Sequence, residues 1–419
     1  MSNGETSPCV PVGVFHPGTQ HSWQTARILQ DLGRLQFYAT SLFYQASRWP
    51  YLLERLPVLG GKLEREFRRV AAEGIDPALV RTGGWHEWAE RICAKFGRTG
   101  LAHLLNAAGN KAFVRVIEDE IASDRPFALW GYNQSSLESF ALGKRHGRAC
   151  ILDQTIGDPR ALDREMAALQ ETYGDWFLGG HNRTDPREIE RSDAEYALAD
   201  RILVGCDYAA STIAAEATDA GVAGKLEVLE YCYDPAFDAV EPVPHDPKGP
   251  VRFLFAGLGI PRKGIHHVLE AISRFPEGAA TLTLLGSIDV PLETFAPYAG
   301  RVTHISTLPR SEVPAVMARH DVLLFPTYFE GAGLVLYEAL AAGMALIQTD
   351  RAARAVTPDT GIMLERPDTD ALVSAMERAV SDRDLLIHWR SNARASARNY
   401  RFAAYRDRIA ALLARMELG

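Results

Sequence analysis

Apolar residues along the chain fall in short, nearly continuous runs, and between them the apolar positions recur at helical spacing. Val10–His16, Phe127–Gly131, Arg148–Leu152, Arg201–Val204 and Leu226–Leu229 read as strands in the first half. Val251–Ala256, Ala280–Leu285, Val302–Ile305, Val322–Phe325 and a run from Ala345 read as strands in the second half. Helical spacing covers Trp23–Leu32, the stretch from Asp185 to Asp200, Ile265–Ile272, Pro314–His320, a run from Leu334 and, at the end, Arg401–Leu418, whose apolar side carries Phe402, Tyr405, Ile409, Leu412 and Leu413. Strands alternating with helices are βαβ units, so the fold class is α/β with parallel sheets.

The clearest unit is FPTYFEGAGLVLYEALAAGMALIQT, residues 325–349. A buried strand ends at Pro326, a loop holds Glu330, Gly331 and Gly333, a helix starts near Leu334, Gly343 stops it, and a second strand follows. A loop at the carboxyl end of a parallel strand is where open α/β sheets bind ligands. Glycines there let the backbone approach a ligand, and free N–H groups at a helix start favour an anion such as a phosphate. Glu330 and Glu338 can accept hydrogen bonds from sugar hydroxyls. A plain βα loop with surface glutamates would also carry this pattern.

The whole string, Glu330-Gly-x-Gly-Leu-Val-x-x-Glu338-Ala-x-Ala-x-Gly343, resembles the donor-site signature of glycosyltransferase family 4. The resemblance implies a GT-B fold: two Rossmann-like domains facing a cleft, with the last helix crossing back to the N-terminal domain. It implies an acceptor domain over residues 1–240, a linker rich in proline and polar residues at 241–250, a donor domain over 251–400 and the returning helix at 401–419. By the same resemblance Glu330 contacts the donor sugar and Glu338 the ribose, and Gly331, Ala332, Gly333, Leu334 and Val335 meet sugar and phosphates. Ala332 is smaller than the residue the family often has there. Arg262 and Lys263, before the helix at Ile265, would hold the diphosphate of the donor, and Leu308 would lie at the nucleotide base. Gly257 and Gly259 are not followed by the third glycine of a dinucleotide-binding loop.

The first half departs further from that family. Its first strand leads into PGTQHS, where Gly18 and His21 would face donor phosphates and acceptor, or form a tight turn with a solvated histidine. Tyr132, Asn133 and Gln134 close the Phe127 strand, with Asn133 an acceptor-side candidate. Asp153 stands where well-known members place a cleft histidine. It has two readings, a hydrogen-bonding or basic group for the acceptor, and a helix cap. Cys206 stands near the place of a family serine. Of the family's Asn-Gly-Val-Asp turn, only Asp234 remains in Tyr231–Pro235. Residues 47–111 mix aromatic, basic and leucine positions. They read either as a helical insertion packed on its own domain or as a segment docking on the inner face of a membrane. Trp85 and Trp88 read as packing residues, with stacking on an acceptor sugar as the alternative.

Composition narrows the picture without redirecting it. The chain has 419 residues, enough for two domains, and a net charge of −8, which does not suggest nucleic acid. Five scattered cysteines form no CxxC pair, which fits a reducing cytoplasm and argues against structural zinc. No apolar run reaches a membrane span, and MSNGETSPC lacks a signal-peptide pattern. Asp368-Thr-Asp370 spells a DxD metal signature but precedes a helix directly, so it reads as an N-cap, and no metal is expected. The expectation is therefore a cytoplasmic, metal-independent, retaining glycosyltransferase. It would use a nucleotide-diphosphate sugar and a glycan or lipid-linked acceptor, in bacterial polysaccharide, lipopolysaccharide or lipid-linked glycan assembly, with peripheral membrane contact as the further option. A nucleotide-sugar epimerase or hydrolase on the same fold, and a non-catalytic nucleotide-sugar-binding module, stay open beside it.

Overall fold

The computed structural model describes residues 10–18, 21–44, 51–52, 74–83, 108–179 and 183–416. Most of the 47–111 stretch, with Trp85 and Trp88, lies outside the described residues, as does the N-terminal MSNGETSPC.

Two parallel sheets make up the fold. The first holds β1 (Val12–Phe15), β2 (Leu35–Thr40), β3 (Val80–Thr82), β4 (Ala128–Tyr132), β5 (Cys150–Gln154), β6 (Arg201–Val204) and β7 (Leu226–Val228), in the order β3-β2-β1-β4-β5-β6-β7. The second holds β8 (Val251–Ala256), β9 (Ala280–Leu285), β10 (Val302–Ile305), β11 (Val322–Phe325), β12 (Ala345–Thr349) and β13 (Gly361–Leu364), in the order β10-β9-β8-β11-β12-β13. Central strands β1, β4, β5, β11 and β12 are buried along their whole length, which is why they read as unbroken apolar runs. Strands β2 and β3 escape that reading. Leu35–Thr40 mixes polar and aromatic residues, and β3 is a three-residue edge with only Val80 buried.

Ten helices matter below: α1 (Ser22–Asp31), α2 (Leu137–Arg145), α3 (Pro159–Tyr173), α4 (Pro186–Leu198), α5 (Asp207–Glu216), α6 (Ile265–Ser273), α7 (Leu334–Ala341), α8 (Thr369–Ser381), α9 (Arg383–Ala397) and α10 (Phe402–Arg415). Helix α3 begins with Asp158 accepting from Arg160 N at 2.8 Å and Pro159 in the first turn. That is a start signal the periodicity alone does not supply. Asp368 caps α8 through Ala371 N at 2.9 Å while Asp370 pairs with Arg274, so the DxD triplet serves the helix and its surface.

Each sheet reverses strand order once, between β1 and β4 in the first and between β8 and β11 in the second. Loops at such a reversal splay apart and leave a crevice. The loops after β1 and β4 and those after β8 and β11 therefore supply facing walls.

Three ties hold the halves together. The 241–250 stretch joins the sheets but is pinned: His245 Nδ1 lies 3.1 Å from Asp321 Oδ2, and Arg252 and Arg390 reach the same fully buried carboxylate at 2.7 and 2.9 Å. Trp176, just beyond α3, is buried in the core of the second half. Helix α10 returns to the first half, where the buried Tyr405 hydroxyl lies 3.2 Å from Thr25 Oγ1 on α1. The stack of Tyr400 on Tyr337, 3.9 Å between rings, seats the turn before it.

Candidate active site

A cavity of about 620 Å³ opens between the two sheets. Its second-half wall is made by Gly257 and Lys263 after β8, Glu330 to Val335 after β11, and Glu338 on α7. Lys263 Nζ lies 3.0 Å from Glu330 Oε1, and Arg262 Nη1 lies 3.2 Å from the same oxygen. Arg262 also donates to the Phe329 carbonyl. These charges are 13–21% exposed, so their attraction is screened less than that of a surface pair. The loop before α6 turns on Gly264, at φ 72°, where a Cβ would lie 2.2 Å from the Pro326 carbonyl oxygen. That contact locks the Lys263 loop against the Glu330 loop.

Gly333 precedes α7 at φ 78°, and no side chain caps the helix. Leu336 N donates to the Gly333 carbonyl at 2.9 Å, so the first-turn N–H groups that can meet a ligand are those of the cavity-lining Leu334 and Val335. Glu338 sits one turn further, and burial lifts its carboxyl to about 7. Arg310 opposes that lift and reaches across the cavity to Asp234 at 3.2 Å. Arg310 is 64% exposed, so this bridge is worth at most about 1 kcal/mol and yields readily to a ligand.

The Glu330 loop is also the seam between the halves. A Cβ on Gly331 would lie 1.7 Å from the Thr155 carbonyl oxygen, and Cys206 Sγ donates to the Gly331 carbonyl at 2.9 Å. Cys206 accepts from Ala209 N at 3.4 Å as well, taking the N-cap role a serine would have on α5. Ala332 is small for a visible reason: a Cβ added to Gly205 would lie 2.6 Å from its own.

On the first-half wall the cavity meets His21, Trp23, Gln24, Thr155 and Tyr231. Asp153 is not among the lining residues. It is fully buried beneath them, accepting from Tyr231 Oη at 2.6 Å and Trp130 Nε1 at 3.3 Å, with His21 Nε2 3.6 Å away. This corrects both readings of Asp153, since it neither faces the cleft nor caps a helix. Asn133 turns inward too: its Oδ1 accepts from Thr155 N at 3.1 Å and Thr155 Oγ1 at 2.9 Å, fixing the loop that meets Gly331. Gly18 lies on the His21 loop with its carbonyl taking a hydrogen bond from Thr40 at 3.3 Å, and a Cβ there would press on the His16 ring at 2.8 Å. Leu308 packs partly buried on the main core. Gly18, Asn133, Leu308 and Arg262 thus stand behind or beside the lining. Trp23, Gln24, Tyr231 and Arg310 line the cavity without any mark in the sequence. Only the apolar strand before Tyr231 and the β10 loop holding Arg310 point to their place.

The second half of the chain is similar to known proteins. Residues 250–382 match the model of the family described as glycosyl transferases group 1. The chain is 31% identical over 150 residues to the lipopolysaccharide glucosyltransferase WaaG of Escherichia coli K12, a match covering 34% of this chain and 40% of that enzyme. The aligned region is thus less than half of the curated relative. Among solved structures, sucrose-phosphate synthase from Thermosynechococcus elongatus superposes with a TM-score of 0.67 at 15% identity, covering 97% of this chain and 99% of that one. Anabaena Alr3699/HepE, solved in complex with UDP, gives 0.60 at 12% identity over 97% and 100%. The fold shared with these structures is GT-B, with both halves Rossmann-like and the cavity between them.

Proposed function

We propose that the protein moves a sugar from a nucleotide-diphosphate sugar to an acceptor hydroxyl, with retention of anomeric configuration and without a bound metal. One observation carries the reading. Lys263, Glu330, the uncapped start of α7 and Glu338 line one continuous wall of the interdomain cavity. That series suits a donor laid along the wall: ribose on Glu338, diphosphate at the α7 N–H groups and Lys263, sugar on Glu330. Arg262 holds Glu330 and adds positive charge behind it.

When the bond between the anomeric carbon and the phosphate oxygen breaks, negative charge builds on the leaving diphosphate. Lys263 and Arg262 stabilise it there, the work a metal does in other transferases. The acceptor oxygen bonds to the same carbon from the same face, and its proton passes to the departing phosphate oxygen.

The HepE complex with UDP makes UDP-sugars the first donors to try. The likeness to WaaG supports a glycan or lipid-linked acceptor in bacterial polysaccharide, lipopolysaccharide or lipid-linked glycan assembly, at the cytoplasmic side. Among the described residues no helix is long and apolar enough to cross a membrane. Membrane contact through the 47–111 stretch belongs to the same proposal.

The test is NMR of UDP-glucose and other nucleotide sugars with the protein in EDTA-containing buffer, with and without a bacterial lipid-linked acceptor fraction. The reading expects nucleoside diphosphate and a product that keeps the donor's anomeric configuration. Free sugar released as fast without acceptor as product forms with it, or an isomer of the donor, would favour a hydrolase or epimerase, and a bound but intact donor a binding module.

A further inference from the structure

A fully buried carboxylate needs compensation. Removing it from water costs several kcal/mol, and each hydrogen bond to a charged group offsets about 1.5–3 kcal/mol. Asp153 has two neutral donors, the Tyr231 hydroxyl and the Trp130 indole, and the third group facing it is His21. His21 Nε2 is itself buried, 3.6 Å from Asp153 Oδ2, and has no hydrogen-bond partner. Its ring is held on two further sides, tilted on Tyr231 at 4.1 Å and edge-on to Tyr132 at 5.3 Å. Nε2 is turned into the protein, and His21 also lines the cavity.

The other lining residues on this wall do not compete for the role. Trp23, Gln24 and Thr155 do not titrate in the working range. The Tyr231 hydroxyl is spent on Asp153, and burial keeps it protonated. Across the cavity Lys263 and Glu330 hold each other. His16, behind His21, is pushed down to about 4 by burial and stays neutral.

We propose that His21 is the residue that receives the acceptor hydroxyl, and that Asp153 is a positioning residue that fixes its ring without meeting substrate. The Asp153 carboxylate, 3.6 Å from Nε2, favours the proton on that nitrogen by charge, so the imidazole is biased to one tautomer whose Nδ1 carries the lone pair. In the cavity Nδ1 accepts the hydrogen bond of the acceptor hydroxyl and aims its oxygen at the sugar, while the proton still leaves with the phosphate. The proposal rests on the transferase reading above.

Two readouts test it. The first needs no substrate: 15N NMR of the histidine rings in the full-length protein. The wild type is expected to show His21 as the Nε2–H tautomer, and Asp153→Asn to lose that preference, because an amide does not demand the proton. The same tautomer in both proteins overturns the pairing. The second uses UDP-glucose with water as the acceptor. His21→Ala should leave UDP affinity within about twofold and slow UDP release about a hundredfold. The double variant should be no slower than His21→Ala alone. Full-rate turnover by His21→Ala overturns the proposal. If Asp153→Asn does not fold, the wild-type spectrum decides: an Nδ1–H ring at His21 contradicts the role. Absence of UDP binding to the wild type is a failure of the donor reading instead, and the tautomer comparison then judges the His21–Asp153 pair by itself.

Discussion

Two residues in the donor wall have opposite demands placed on them, and both lead to predictions. Under the proposed function Lys263 is useful only if its charge can move to a phosphate from Glu330, which it meets at 3.0 Å. Replacing Lys263 by alanine should lower kcat by about two to three orders of magnitude, the range seen when one oxyanion-stabilising group is lost. Steady-state rates with a productive donor check it, and near-normal kcat would remove Lys263 from the mechanism. Glu338 has the reverse problem, since burial disfavours the charge that would hold a ribose best under the proposed function. Its folded pKa, about 7, lies above the unfolded 4.5. Its contribution to stability is therefore fully present below about 4.5 and is lost as the pH rises through 7. Glu338→Gln should raise the melting temperature of the empty protein at pH 8 and not at pH 4.5. It should also remove the component of nucleotide affinity that weakens as the wild type is titrated from pH 8 to pH 6. Melting curves and calorimetric titrations across that range check both signs. The glutamates and Lys263 are legible in the sequence because their loop chemistry is local. Asp153 is not, because its burial is made by Tyr231, 78 residues away, and by a histidine on another loop.

Among the elements, the β11–α7 loop carries most of the account. It forms the donor wall and the seam with Thr155 at once, and glycine at 331 is what allows the seam. Gly331→Ala places a methyl group 1.7 Å from a backbone oxygen, so the two halves must part locally. A loss of about 1–3 kcal/mol in unfolding free energy is expected, with a larger proportional loss of turnover. Denaturant melts and rates measured on the same preparation check this, and unchanged values for both would mean the seam is not as close as described. Buried strands such as β8, β11 and β12 can be read directly from the chain because both of their faces are covered. Strands β2 and β3, with one polar face or only three residues, cannot. Helices α3 and α9 are also hidden, since each buries only a narrow stripe: Met166 and Leu169 in α3, Leu386, Trp389, Ala393 and Ala397 in α9.

For the whole molecule, function depends on two sheets whose strand reversals face each other. The Asp321 cluster, Trp176 and Tyr405 hold them in that relation from three directions. The second half resembles known glycosyltransferases in sequence, whereas the first half shares their fold with few of their residues, and under the proposed function acceptor choice would lie on the wall built by His21, Trp23 and Gln24. The central claim is that the second-half wall is a nucleotide-sugar site. Calorimetric titration of UDP, GDP, ADP and dTDP into the wild type and into Glu338→Ala tests it most directly. The account predicts saturable binding of one nucleotide, weakened at least tenfold in the variant. Equal binding by both proteins, or none by the wild type, would contradict it.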